Sequence, residues 1–421
     1  MTNTHSIPPP SPPPSRSGPL SHIRVLDLSR VLAGPWAGQL LADMGADVVK
    51  VERPGSGDDT RSWGPPFLTD TNGTPTHESA YYLGANRAKR SITVDLSKPR
   101  GQEIIRELAA QSDILLENFK YGTLARLGLG YEDLREINPG LIYCSITGFG
   151  QTGPRRAQPA YDFAIQAMGG LMSVTGERDD RPGGGPQKVG IPIVDLTTGT
   201  YAAVAVLAAL AHRGRTGLGD HIDLAMLDVQ VATLANQAMN HLVDNRIPAR
   251  TGNSHPNIQP QDVYACEDGG LAVAVGNDGQ FGRFCEALGR DDLAEDERFA
   301  TNRARVRNVA ELRPLIAAVL ADGSRRHWIE RLDRAGVPCG TVNTVDEVLA
   351  DEQVRHRGMV VDVAHPLAGS VRLVASPLRF ANNPLSHEQP PPLLGQHTDE
   401  VLRDLGVAKD EIRALREEGV V

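Results

Sequence analysis

The sequence predicts an α/β protein whose large domain is a doubly wound (Rossmann-like) parallel sheet, accompanied by a small α+β domain. Strand and helix patterns alternate between residues 23 and 226. The first three of these elements form a βαβ unit, which requires parallel strands and a crossover helix. The chain has 421 residues, which is long enough for two domains with a large core.

The first βαβ unit consists of a strand at 23–28, a helix at 35–44 and a strand at 46–51. Pro35 stands in the first turn of this helix, a position that suits proline because that N–H has no partner within the helix. The later elements predicted for the doubly wound domain are strands at 91–95, 114–117, 141–146 and 220–226 and helices at 100–111 and 131–137.

Two patterns in this region resemble dinucleotide-binding signals. The turn of the first βαβ unit, RVLAGP at 30–35, lacks the Gly-rich fingerprint. A literal GxGxxG occurs at 148–153, but PRRAQP follows it and cannot open the helix that would hold a pyrophosphate. Both observations argue against a nicotinamide dehydrogenase.

The composition changes after about residue 225. A helical stretch at 227–243 and a polar loop at 251–260 precede a strand at 270–275. We interpret 226–340 as a linker helix and the small domain. The remaining predicted elements are helices at 280–288, 309–321, 325–335, 344–349 and 409–417, a helix that ends at 405, and strands at 359–364 and 370–373.

Asp195 stands between an apolar run and an Ala-rich helix predicted at 201–211. A carboxylate at a helix N-terminus is favoured by the free N–H groups and by the helix dipole. On local sequence alone, the simplest role for Asp195 is that of an N-cap or first-turn residue.

Composition excludes several classes of function. The formal charge of −9 argues against nucleic acid as a partner. The four cysteines are scattered without metal or redox spacing, so we expect no metal site and a reduced, cytoplasmic protein. No apolar run reaches the length of a membrane span, because the Ala-rich helix after Asp195 is too short and too weakly hydrophobic. The Pro/Ser-rich residues 1–19 predict a disordered tail.

An ordered set of motifs runs from about residue 20 to the end of the chain. The segments are VLDLSRVLAGP at 25–35, GADVVKVE at 45–52, KRSI at 89–92, ENF at 117–119, YDFAIQ at 161–166, GG at 169–170, DLTTG at 195–199, RTG at 215–217, GVPCG at 336–340, PPLLGQHT at 391–398 and GVV at 419–421. In this order they resemble the class III coenzyme A-transferases, the group of formyl-CoA transferase and carnitine CoA-transferase. The runs at 169–176 and 252–257 look most like the branch that moves CoA from succinyl-CoA to dicarboxylates.

The resemblance implies an interlocked homodimer and a large domain made of both chain ends, so that 20–225 and 341–421 belong together. It also implies that Asp195 attacks an acyl-CoA and then carries CoA as an aspartyl thioester, which is covalent catalysis. The substrates would be an acyl-CoA and a carboxylic acid, with no permanently bound cofactor. We expect the oxyanion donors to be turn N–H groups around Asp195 or a Gly-rich loop.

The resemblance also assigns residues to coenzyme A, position by position. The expected contacts are Val31, Ala33, Arg53, Asn118, Phe119, Arg126 and Tyr161. Of these, Arg53 would lie near the nucleotide and Arg126 would bind phosphate. Lys89 and Arg90 are further phosphate candidates, and all four cations could instead be ordinary surface charges.

Some positions depart from formyl-CoA transferase and bear on the substrate. Leu32 replaces a Gln of that enzyme, and its Gly-rich loop is not evident here, which puts formate and oxalate in doubt. His255 is a candidate for binding a substrate carboxylate. The resemblance to the succinyl-CoA-dependent branch makes glutarate, itaconate, malate or an aryl-succinate a candidate acceptor.

A 2-methylacyl-CoA racemase of the same fold is the alternative function. Racemases carry His where this chain has Tyr161, and tyrosine is too weak a base at neutral pH to replace it. A third hypothesis is a CoA-binding protein without activity. The presence of the candidate nucleophile Asp195 argues against it.

Overall fold

The structure is a computed structural model that describes residues 17–421. The tail predicted at 1–19 therefore falls, up to residue 16, outside the described residues. The chain divides into two compact units. One comprises the chain up to Gly170 together with Gly190–Ala235 and Glu352–Val421, and the other comprises Leu171–Val189 and Asn236–Asp351.

The strands, in chain order, are β1 Arg24–Asp27, β2 Asp47–Glu52, β3 Phe67–Thr69, β4 Pro75–Ser79, β5 Arg90–Thr93, β6 Ile114–Glu117, β7 Ile142–Thr147, β8 Asp220–Ala225, β9 Gln261–Cys266, β10 Gly269–Ala274, β11 Cys339–Thr341, β12 Val360–His365 and β13 Gly369–Val374.

The helices are α1 Ala33–Asp43, α2 Ala80–Leu83, α3 Pro99–Ala110, α4 Thr123–Arg126, α5 Tyr131–Ile137, α6 Asp162–Met168, α7 Leu171–Val174, α8 Ile193–Thr216, α9 Met226–Thr233, α10 Ala235–Asp244, α11 Asp278–Leu288, α12 Asp291–Glu295, α13 Asn302–Arg307, α14 Val309–Leu320, α15 Arg325–Arg334, α16 Val345–Ala350, α17 Glu352–His356, α18 Thr398–Asp404 and α19 Lys409–Glu417.

The first unit is built on a parallel sheet of six strands in the order β5-β2-β1-β6-β7-β8. The chain adds strands in one direction from β1 and then returns to add β6, β7 and β8 on the other side. The strand order therefore reverses between β1 and β6. In open α/β sheets, ligands bind in the crevice at the carboxyl ends of the strands at this point.

Both faces of the sheet are covered by helices, as the prediction of a doubly wound sheet requires. On β1, Val25 belongs to the core that includes α1 and α8 residues, such as Leu41 and Val206. Its neighbour Leu26 belongs to the opposite core, with Ile104 of α3. Alternate residues of a strand point to opposite faces, so this division follows directly from the pleat.

The end of the chain packs on the same unit. Val401 of α18 and Ile412 of α19 join the core on the α3 face. His397 N donates to Ser91 O at 2.9 Å, and Thr93 N donates to Thr398 Oγ1 at 3.0 Å. These bonds tie the C-terminal segment to the β5 edge.

The second unit has an antiparallel sheet of three strands in the order β11-β10-β9. Its core gathers strand residues such as Leu271 with Phe284 of α11, Ile316 of α14 and Trp328 of α15. The unit spans 236–351 and also includes 171–189, a segment that the sequence analysis had placed with the doubly wound part.

α8 differs from the prediction in length. It begins at Ile193 rather than near 201 and has 24 residues. It is long and apolar enough, by length and composition, to cross a membrane, so the expectation that no segment reaches that length was wrong. In this protein Ala202, Val206 and Ala209 of α8 pack into the core against α1 and the sheet.

Candidate active site

At the reversal point, hydrogen bonds join the segment after β1 to the segment after β6. We call this pair of bonds between Asn118 and Arg30 the clamp. After β1, Arg30 N donates to Asn118 Oδ1 at 2.8 Å, and Asn118 Nδ2 donates to Arg30 O at 2.6 Å. After β6, Phe119 N donates to Glu117 Oε2 at 2.8 Å. The Arg30 guanidinium lies 5.0 Å from the centre of the Phe119 ring. Asn118 thus fixes the turn that leads into α1.

That turn contains a strained residue. Val31 has a φ of +70°, a left-handed conformation that β-branched residues rarely adopt. Its N–H donates to Asp58 Oδ1 at 3.3 Å, and Lys50 Nζ lies 2.9 Å from Asp58 Oδ2. Burial opposes ionisation of Asp58, but the Lys50 ammonium and bonds from Thr60 outweigh it and lower its pKa. A buried ion pair therefore supports the turn.

Asp195 lies in the first turn of α8 and is 8% exposed. It is not a cap, because the helix starts two residues earlier. Among the described residues, none donates a hydrogen bond to its carboxylate. Burial, and next the charge of Asp162, raise the pKa of Asp195 to about 7. The side chain is therefore an unusually basic carboxylate.

The N–H groups beside Asp195 are already in use. Val194 N and Asp195 N donate to Asp162 Oδ1 at 2.8 and 3.2 Å. The expectation that turn N–H groups around Asp195 serve as oxyanion donors was therefore wrong for these two groups.

α8 approaches α1 closely just after Asp195. A Cβ on Gly199 would lie 2.5 Å from Ala33 O and 3.0 Å from Trp36 Cβ, so only glycine fits there. Gly199 is one turn beyond Asp195 and therefore sets the distance between Asp195 and the start of α1.

A cavity of about 170 Å³ brings most of the predicted residues together. Its walls include the predicted residues Val31, Ala33, Asn118, Phe119, Tyr161 and Asp195. Its cationic residues, which were not predicted, are Arg30, Lys120 and Arg156.

The two predicted arginines lie outside this cavity. Arg53 lines a neighbouring cavity of about 530 Å³, which shares Phe119 and Arg30 with the first. Arg126 is exposed at the end of α4, and its guanidinium donates to Thr123 Oγ1 at 3.3 Å.

Lys89 and Arg90 are not available to phosphate, which corrects the prediction for both. Lys89 Nζ is buried and bonds to Asp27 Oδ2 at 3.0 Å and to Pro35 O at 2.8 Å. Arg90 pairs with Asp47 at 2.5 Å and with Glu400 at 3.0 Å. Buried cations must be paired, and these two are paired within the protein.

Tyr81 of α2 lies near the site and was not predicted from the sequence. Burial, followed by the charges of Asp195 and Asp162, raises its pKa to about 12. Its ring meets the Trp63 ring edge to face, with centroids 5.1 Å apart. No local pattern marks Tyr81, since only the fold brings α2 near α8.

The remaining features considered in the sequence are His255, the GxGxxG at 148–153 and the possibility of a metal site. In the second unit, His255 Nδ1 accepts a bond from Asn257 N at 3.1 Å. The GxGxxG at 148–153 is followed by turns, and the next helix starts only at Asp162. Over residues 17–421, no group of three His, Cys, Asp or Glu side chains is arranged to hold a metal ion.

Comparisons with known proteins identify the family of this chain. The family described as CoA-transferase family III matches residues 20–398. The succinate–glutarate CoA-transferase of Agrobacterium fabrum is 50% identical over 392 residues, covering 93% of this chain and 97% of that protein. The succinyl-CoA:glutarate CoA-transferase of Homo sapiens is 42% identical, and the match covers 95% of this chain and 88% of the human protein.

A solved structure extends the agreement to the fold. A CAIB/BAIF family protein from Brucella suis superposes with a TM-score of 0.81 at 47% identity, covering 92% of this chain and all of that one. The match to the family, the identity to these relatives and the similarity to this solved structure together show that the chain belongs to CoA-transferase family III.

Proposed function

We propose that this CoA-transferase moves coenzyme A from succinyl-CoA to a dicarboxylate of glutarate size, with Asp195 as the residue that carries CoA between the two acids. The relatives named for succinyl-CoA and glutarate support the substrate pair. The observation that carries the mechanism is the buried, basic Asp195 carboxylate in the crevice, to which no described residue donates a hydrogen bond.

The reaction follows from two exchanges at one carboxylate. Asp195 attacks the thioester carbonyl of succinyl-CoA, forming a mixed anhydride and releasing the CoA thiolate. The thiolate attacks the Asp195 carbonyl, which gives the aspartyl-CoA thioester and frees succinate. The acceptor carboxylate then attacks this thioester, and the released thiolate attacks the acceptor acyl carbon. The products are the new acyl-CoA and free Asp195.

The N-terminus of α1 is the best placed source of oxyanion donors. Leu32 and Ala33 line the cavity with Asp195. Their N–H groups stand at the start of α1, where no intrahelical acceptor exists, and no described residue accepts from them. Donors aimed at a developing oxyanion in a buried site stabilise each tetrahedral intermediate.

The connected cavities suggest the path of coenzyme A. Phe119 borders both the Asp195 cavity and the larger cavity that holds Arg53. We place the thioester beside Asp195, the pantetheine arm along Asn118 and Phe119, and the nucleotide near Arg53. Arg126 would meet a phosphate at the outer end.

We also propose a homodimer, interlocked as the family resemblance implies, in the cytoplasm. Large apolar side chains are exposed on the isolated chain, including Val204 of α8 at 59% and Leu242 of α10 at 70%. A second copy would cover such surface. Neither nucleic acid nor a membrane is proposed as a partner.

The experiment that tests the function uses purified protein, succinyl-CoA and a panel of carboxylates, with acyl-CoA products followed by mass spectrometry. We expect glutaryl-CoA with glutarate, and no exchange by the Asp195→Ala variant. Absence of exchange with every donor and acceptor would refute the transferase proposal. Loss of α-deuterium from a 2-methylacyl-CoA would favour the racemase alternative instead.

A further inference from the structure

Asp162 joins two helices at the site. It is the first residue of α6, one position after Tyr161. Its Oδ1 accepts from Val194 N at 2.8 Å and from Asp195 N at 3.2 Å, and its Oδ2 accepts from the buried Gln166 Nε2 at 2.5 Å. Both oxygens of this carboxylate are therefore engaged, and one of them holds the turn that carries Asp195.

The start of α8 has no cap of its own. Pro192 occupies the N-cap position and supplies no side-chain hydrogen bond. Free N–H groups at a helix N-terminus are normally satisfied by a neighbouring Ser, Thr, Asn or Asp in the chain. Here the acceptor comes from a residue 33 positions earlier, so the direction of the first turn of α8 depends on α6.

Using a carboxylate rather than a hydroxyl has two electrostatic consequences. It occupies the N–H groups that would otherwise draw negative charge to α8, and it places a second negative charge beside Asp195. Like charges at short distance disfavour ionisation and make the remaining carboxylate more basic. A more basic carboxylate is a better nucleophile toward a thioester as long as it is ionised.

We infer that Asp162 is a positioning residue for the transfer reaction: its carboxylate holds the first turn of α8 so that the Asp195 side chain faces the cavity. The negative charge of Asp162 also makes the Asp195 carboxylate more basic. The inference rests on the proposed role of Asp195. The other ionisable groups facing Asp195 are Tyr81 on α2 and, around the cavity, Arg30, Asp59, Lys120, Arg156 and Tyr161. Within residues 17–421, only Asp162 both accepts a hydrogen bond from the Asp195 turn and places a charge beside the Asp195 carboxylate.

The test compares Asp162→Asn, which keeps an acceptor oxygen for the helix, with Asp162→Ala, which removes it. In Asp162→Asn we expect the acid limb of the kcat/KM profile to move to lower pH by about one unit, with KM for succinyl-CoA unchanged. At pH 8, kcat should fall about tenfold in Asp162→Asn and about 100-fold in Asp162→Ala. Asp223→Asn is the control, since Asp223 accepts from Gln151 N at 3.0 Å outside the cavity.

A thermal double-mutant cycle gives a readout that does not need activity. At pH 8, Asp195→Asn should raise the melting temperature more when Asp162 is present than in the Asp162→Asn background, and this difference should vanish at pH 5. Equal gains in both backgrounds, or a wild-type pH profile in Asp162→Asn, would overturn the inference. Retained exchange by Asp195→Ala would instead overturn the proposed function, while the cycle would still decide the coupling.

Discussion

The side-chain amide of Asn118 bonds both backbone groups of Arg30. Its Oδ1 accepts from Arg30 N at 2.8 Å, and its Nδ2 donates to Arg30 O at 2.6 Å. This pair joins the ends of β6 and β1, where the strand order reverses, and it supports the strained Val31 turn from one side. A loop held on both of its polar groups cannot drift without breaking two hydrogen bonds. The shape of the cavity therefore depends on one amide side chain.

Replacing Asn118 should cost activity more than stability. In Asn118→Ala we expect kcat/KM for succinyl-CoA to fall about 10- to 100-fold, since small displacements at a reacting centre are costly. Asn138→Ala is a matched control, because Asn138 Nδ2 also clamps backbone, donating to Ala109 O and Ser112 O away from the cavity. Each variant should lose about 1–3 kcal/mol of stability. Equal activity of the two variants would contradict the role of the clamp.

Gly199→Ala should separate α8 from α1. The added Cβ would meet Ala33 O at 2.5 Å, so one helix must move. We expect a lower melting temperature and a fall in kcat of at least about tenfold, as Asp195 leaves the α1 N-terminus. Gly214→Ala on the same helix meets nothing within 4 Å and should leave kcat unchanged while adding up to about 1 kcal/mol of stability. Steady-state kinetics and thermal melting measure both effects.

Asp195→Asn should stabilise the protein at neutral and alkaline pH. Burial, and next the Asp162 charge, raise the pKa of Asp195 in the folded protein to about 7, above the ordinary value of 3.8. Protonated Asp195 therefore favours folding below pH 3.8, and this contribution is lost as the pH rises through 7. The gain from Asn should grow between those values and reach at most about 4 kcal/mol. A gain independent of pH, measured by urea unfolding, would contradict the raised pKa.

Arg53→Gln and Arg126→Gln should weaken binding of the nucleotide end of CoA. We expect KM for succinyl-CoA to rise about tenfold with kcat nearly unchanged, since these contacts are remote from the reacting carbonyl. The effect should shrink with succinyl-pantetheine, which lacks the nucleotide. Arg135→Gln serves as the control, because Arg135 is exposed and pairs with Glu132 on α5. An equal rise in KM for succinyl-CoA and for succinyl-pantetheine would show that these arginines do not bind the nucleotide end of CoA.

The regular elements of the sheet were predictable because each carries its own pattern. The strand at 114–117 and the helix at 131–137 were predicted with the bounds that the structure has. The start of α8 was not predictable locally. Ile193 and Val194 have the character of strand residues, and the cap that starts the helix there comes from Asp162, far away in sequence.

The predictions for individual site residues also depended on contacts between distant parts of the chain. Val31, Ala33, Asn118, Phe119, Tyr161 and Asp195 were named from motif resemblance and line one cavity. Lys89 and Arg90 were misjudged because their partners Asp27 and Asp47 lie about 40 to 60 residues away. The predicted single helix at 227–243 is two helices, α9 and α10, and Ala235, the first residue of α10, has a φ of +44°. Long-range contacts decide these points, and no local pattern records them.

Asp195 is proposed to carry CoA as a thioester between the two acids. The direct measurement is peptide mass spectrometry of the protein quenched in acid after mixing with succinyl-CoA alone. We expect a CoA adduct on the peptide containing Asp195, absent in Asp195→Asn and discharged as glutaryl-CoA when glutarate is added before quenching. Wild-type turnover with no adduct at Asp195, or an adduct on another residue that glutarate discharges at the rate of turnover, would contradict it.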